Sequence, residues 1–161
     1  MSHEGHSQIV VALRPARPRR AAVLAGTIGK IIISCDNEKG WHTYAVGVYG
    51  PAKGVAAGDW VNSSMEGSKK ESFHVKVKLR PDGTAAFTAV GKLSRFADID
   101  ADVYDVLAMM LKSKKDMTFR SGIFSLTVPT AGFARAMAPL VKTCGNPESL
   151  AKQVRARSEP A

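Results

Sequence analysis

The sequence predicts an α+β domain: a mostly antiparallel β-sheet, sandwich or barrel-like, with two packed helices and a short C-terminal helix. Three observations predict it. Most segments in the first half alternate apolar and polar residues and are separated by short turns, two helix-period stretches follow in the second half, and no strand–helix–strand repeat argues for a parallel sheet. The apolar share of 45% and charged share of 23% are those of a chain with a packed core. We divide the 161 residues into a basic Pro/Arg-rich extended arm over 1–26, a single α+β domain over 27–145, and a short C-terminal helix and tail over 146–161.

Gln8 to Leu13 reads as a short strand or an extended arm. Pro15 and Pro18 then exclude helix and central strand from Arg14 to Arg20, because each lacks an N–H and restricts the residue before it. Thr27 to Cys35, with Ile31-Ile32-Ile33, reads as a buried strand, and Trp41 to Tyr49 as its hairpin partner across Asp36 to Gly40. Asp59 to Asn62 reads as a short strand before a polar loop, Ser63 to Lys70. The clearest strand is Phe73 to Arg80, where Phe73, Val75, Val77 and Leu79 alternate with His74, Lys76, Lys78 and Arg80. Pro81-Asp82-Gly83 turns it into Thr84 to Val90.

In the second half, Val103, Val106, Leu107, Met110 and Leu111 form one helical stripe, capped by Asp98 or Asp100. Asp116 to Arg120 and Ile123 to Val128 make a late hairpin around Ser121-Gly122. A helix from Ala131 to Cys144 is expected to be capped by Pro129-Thr130, kinked by Pro139 or restarted late near Arg135 to Ala138, and ended by Gly145. Glu148 to about Arg157 reads as a last amphipathic helix.

The net charge is +9, and its densest block is the arm, where Arg14, Arg17, Arg19 and Arg20 are set against Glu4. Such a block suits an anionic partner: nucleic acid, lipid headgroups or an acidic protein face. Ala21 to Ile28 after these arginines resembles a secretory signal, but Lys30 interrupts the apolar run, so a cleaved signal is not expected. No stretch is long and apolar enough for a membrane-spanning helix, which leaves peripheral membrane contact open. Cys35 and Cys144 allow either a bridge closing a loop of about 110 residues or two buried thiols.

Catalytic and metal chemistry find little footing. His3, His6, His42 and His74 share no ligand spacing with the cysteines, no Gly-x-Ser-x-Gly elbow occurs, and the glycines from Gly47 to Gly58 lack a phosphate-loop pattern. The carboxylates Asp98, Asp100, Asp102 and Asp105 crowd a helix start, where capping explains them. No enzyme activity and no cofactor are expected.

The order Met117-Thr118-Phe119, Ile123-Phe124-Ser125-Leu126, Gly132-Phe133-Ala134-Arg135-Ala136-Met137 and Cys144 resembles the C-terminal half of small exported bacterial proteins of the invasion-associated locus B family. There a strand near F-x-L precedes a G-x-x-x-A-L/M helix and a terminal cysteine. The resemblance covers about a third of the chain. It implies a periplasmic or envelope β-rich domain with an early-to-late disulfide, which maps onto Cys35 and Cys144, and it implies no chemical activity.

The leading expectation is a non-enzymatic binding or assembly protein of the bacterial envelope, whose arm (Arg14, Arg17, Arg19, Arg20) contacts a protein partner or a second copy. Gln8 to Leu13 would add a strand to that neighbour. The alternative is a nucleic-acid-binding face made of Lys69, Lys70, His74, Lys76, Lys78 and Arg80, with Trp60, Trp41 and Tyr44 as stacking surfaces. A further alternative is a virion component, and the compartment would then be cytoplasm or virion.

Overall fold

Alternation between apolar and polar side chains along the sequence becomes alternation between inward and outward ones. In the computed structural model, which describes residues 6–13, 29–38, 41–94, 98–99, 102–130 and 132–158, this alternation builds one antiparallel sheet. Its strands are β1 (His6–Leu13), β2 (Gly29–Glu38), β3 (Trp41–Pro51), β4 (Gly58–Glu66), β5 (Lys70–Leu79), β6 (Thr84–Ser94), β7 (Asp98–Ile99), β8 (Met117–Ser121) and β9 (Phe124–Val128). Neighbours follow the order β1-β2-β3-β6-β5-β4-β8-β9, with the two-residue β7 beside β6. The helices are α1 (Asp102–Lys112), α2 (Phe133–Cys144) and α3 (Pro147–Ser158).

The sheet is nearly a barrel. It curls until the inward side chains of β9 rest on the backbone where β2 starts and β3 ends. A Cβ on Gly29 would lie 2.8 Å from Leu126 Cδ2, and one on Gly50 2.7 Å from the Phe124 ring. These two glycines let the seam approach without hydrogen bonds across it. Inside, Phe73, Phe87, Phe119 and Phe124 form a chain of ring contacts, the tightest 4.4 Å between Phe87 and Phe124. The helix α1 packs on the inner side of β3, β5 and β6 through Val103, Tyr104, Val106, Leu107 and Met110, all at most 1% exposed.

Several elements depart from the sequence reading. The stretch Ser63 to Glu66, expected as loop, belongs to β4, and Ser63 is buried because its hydroxyl bonds Ser121 Oγ at 2.8 Å and donates to Val61 O at 3.3 Å. Of the two expected caps of α1, Asp98 lies in β7 and Asp100 lies outside the described residues. Pro139 leaves α2 continuous, and the helix is entered through Gly132 at φ 81 with no side-chain cap; Thr130 contributes only its carbonyl, which accepts the Phe133 N–H at 3.0 Å. Gly145 ends α2 as expected. Asn146 then caps α3, its Oδ1 accepting the Glu148 N–H at 2.9 Å, with Pro147 at the first helical position.

Cys35 on β2 and Cys144 at the end of α2 form a disulfide, with Cα atoms 6.2 Å apart and a sequence separation of 109. Beside it the Tyr44 hydroxyl donates to Gly145 O at 2.8 Å. The strand over His6–Leu13, expected to reach a neighbouring subunit, pairs with β2 of its own chain from His6↔Asp36 to Leu13↔Gly29.

Candidate anion-binding face

Because β5 is central and antiparallel to both neighbours, its even-numbered residues share one outward face. Its inward residues Phe73, Val75 and Val77 are buried while Lys70, His74, Lys76 and Lys78 are exposed. Successive outward cations at Lys76, Lys78 and Arg80 stand about 6.7 Å apart along the strand. Neither Lys76 nor Lys78 makes an ion pair with a described residue. Arg80 is 4.0 Å from Asp82, an exposed contact worth little. Thr84 hydrogen bonds, and after them the Arg80 charge, hold the Asp82 carboxyl below the usual carboxylate range.

The pairing register extends this face across the sheet. Lys30 lies opposite Tyr49, Tyr49 opposite Ala86, and Ala86 opposite Lys78, so one row runs over β2, β3, β6 and β5. Tyr49 lies down over Gly47: a Cβ there would meet Tyr49 Oη at 2.8 Å and Cε1 at 2.9 Å. Lys30 Nζ and Arg80 Cζ stand 5.7 and 5.6 Å from the Tyr49 ring centre. A ring laid flat between two cations makes a floor with positive rims. The sequence reading missed it, since Lys30 stood out only as an interruption and Gly47 only as a failed phosphate loop.

Trp60 sits on the same face at a bulge. From Gly58↔Val77 to Val61↔Val75, β4 advances three residues while β5 advances two. Trp60 takes the extra step at φ 58, the left-handed region, and is 66% exposed, its ring 6.1 Å from that of His74. Of the other proposed stacking residues, Tyr44 is fully buried, and burial pushes its phenol up to about 12. It is a core residue, which corrects the stacking expectation. The side chain of Trp41 lies outside the described residues, as do Arg14, Arg17, Arg19 and Arg20.

Lys69 is separated from the face. It lies in the turn between β4 and β5, 3.9 Å from Glu71, lining a cleft of about 220 Å³ against α1 and α3. The charges there are matched: Arg155 bonds Asp105 at 2.7 Å and Lys112 pairs with Glu148. The Lys112 hydrogen bond and charge hold the Glu148 carboxyl low. This cleft joins helices to sheet and leaves no charge over for a ligand.

Among the described residues no group of three or more His, Cys, Asp or Glu side chains is placed to hold a metal ion, and no helix is long and apolar enough to cross a membrane. Neither a protein-family model, a curated protein nor a solved structure matches the chain.

Proposed function

We propose that this is a non-enzymatic binding protein that holds an anionic partner on the outer face of β2, β3, β6 and β5, in an oxidising compartment such as the bacterial envelope. The observation that carries this reading is the row Lys30, Tyr49, Ala86, Lys78 with Arg80 over the ring and, beside it, Lys76, which makes no ion pair with a described residue. Cations with no carboxylate partner keep their full field for a ligand. The Cys35–Cys144 bridge supports an oxidising compartment, which is also what the invasion-associated locus B resemblance implies. Contact through the arm, a protein partner and oligomer formation belong to the same proposal; Arg14, Arg17, Arg19 and Arg20 would add to the attraction.

The test is the salt needed to elute the protein from a heparin resin. The variant K76Q/K78Q/R80Q should elute at clearly lower salt than K112Q/K142Q/K152Q, which removes the same charge elsewhere. Equal elution of the two variants would sink the reading, because only net charge would then be sensed. Retention of a single-stranded oligonucleotide in preference to heparin would favour the nucleic-acid alternative.

A further inference from the structure

The antiparallel register gathers several chain reversals at one end of the sheet. Leu13 meets Gly29 there, β3 ends opposite the start of β6 at Pro51↔Thr84, β4 begins near the end of β5 at Gly58↔Val77, and β8 turns into β9 at Ser121↔Phe124. The connections touch one another. The Ala52 N–H donates to Gly83 O at 3.0 Å, and a Cβ on Gly54 would lie 2.5 Å from Ile123 Cδ1. A groove of about 490 Å³ runs between Gly58-Asp59 and Lys76 to Leu79.

This end carries three of the four large apolar side chains that are exposed among the described residues: Ile123 at 74%, Trp60 at 66% and Leu79 at 45%. Ile123 comes from the turn between β8 and β9, Trp60 from the bulge of β4 and Leu79 from the end of β5, and no described residue covers them. A tryptophan at positive φ is held against its own backbone preference by roughly 1 to 2 kcal/mol, and such strain gathers at functional positions. The groove beside Leu79 is lined by Lys76 and Lys78 with Asp59, and Arg80 with its contact Asp82 follows Leu79 in the chain.

We infer that this end docks on an anionic phospholipid surface. The inference rests on the anion-binding reading above and names its partner. Isolated apolar tips beside cations match the layered chemistry of a bilayer interface, where indole and aliphatic groups enter the headgroup boundary and lysines meet phosphate above it. A soluble polyanion would use the cations but has no place for Ile123 and Leu79. An acidic protein would need a surface shaped to fit three separate tips.

The test uses the full chain with its disulfide intact and phosphatidylcholine vesicles with and without phosphatidylglycerol. Co-sedimentation is expected only with phosphatidylglycerol. Binding should fall about fivefold for each of Lys78→Gln and Arg80→Gln, and about tenfold for the pair Leu79→Ser and Ile123→Ser. On binding, tryptophan emission should move to shorter wavelength, and Trp60→Phe should abolish that movement. Thermal melts check that each variant is folded, and these exposed positions should leave them unchanged.

Binding to the mixed vesicles that is indifferent to Leu79→Ser and Ile123→Ser, with no change in emission, would overturn docking by this end. Absence of vesicle binding with heparin retention intact would overturn the membrane inference and leave the anion-binding reading standing. Loss of face-dependent retention on heparin together with absence of vesicle binding would overturn both.

Discussion

The two ends of the curled sheet are built oppositely. At one end the disulfide joins β2 to α2, the Tyr44 hydroxyl reaches Gly145 beside it, and charged pairs tie α3 to α1. At the other, Ile123, Trp60 and Leu79 are exposed, and Lys76 and Lys78 beside them make no ion pair with a described residue. The difference teaches where stability and binding are divided. Partners supplied by the chain itself rigidify the first end, and groups left without partners in the second are available to something else.

The contrast is broken most directly at the disulfide. Replacing Cys35 and Cys144 by alanine should cost about 4 to 5 kcal/mol in urea unfolding, the chain-entropy value for a loop this long; a loss under about 1 kcal/mol would mean that helices and core already lock this end. Next comes the seam at the second end, where β9 meets the start of β2 and the end of β3. Gly50→Val should cost about 2 kcal/mol, because its side chain overlaps the Phe124 ring, and no cost would show that β9 moves away freely.

Tyr44→Phe should cost about 1 kcal/mol through the lost bond to Gly145. The phenol sharpens the comparison through pH. Its folded-state pKa lies above the unfolded value near 10, at about 12, so its stabilisation is present below pH 10 and lost as pH rises toward 12. Alkaline titration followed by phenolate absorbance should show that step in the native protein and not in Tyr44→Phe.

Glu148 works in the other direction. Its folded pKa is depressed, so the pair with Lys112 contributes above the ordinary glutamate range and is lost as pH falls through the lowered value. Glu148→Gln should therefore flatten the acid side of the stability curve. The smallest effect belongs to the open end: Ile123→Ser should leave stability within about 0.5 kcal/mol, as measured by the same urea titration.

Much of the sheet was legible because its code is local. The alternation from Phe73 to Arg80 fixes an inward and an outward face before any partner is known, and Gly145 marks the end of a helix by itself. Ser63 to Glu66 was illegible, since serines read as loop until a buried partner such as Ser121 satisfies them. Pro139 sits inside α2 without ending it, because Phe133, Met137, Leu140 and Cys144 on either side are seated in the core.

The candidate site divides the same way. Periodicity alone put His74, Lys76, Lys78 and Arg80 on one face. Lys30 and Tyr49 joined them only through register, which depends on which strands meet. The sequence by itself determined the elements, their faces and the sign of the charge, because these depend on neighbours a few residues away. Tertiary structure decided that β1 returns to its own sheet, that Tyr44 is core while Trp60 is exposed, and that Ile123, Trp60 and Leu79 share one end. Those outcomes follow from contacts between residues far apart in the chain, which no local pattern encodes.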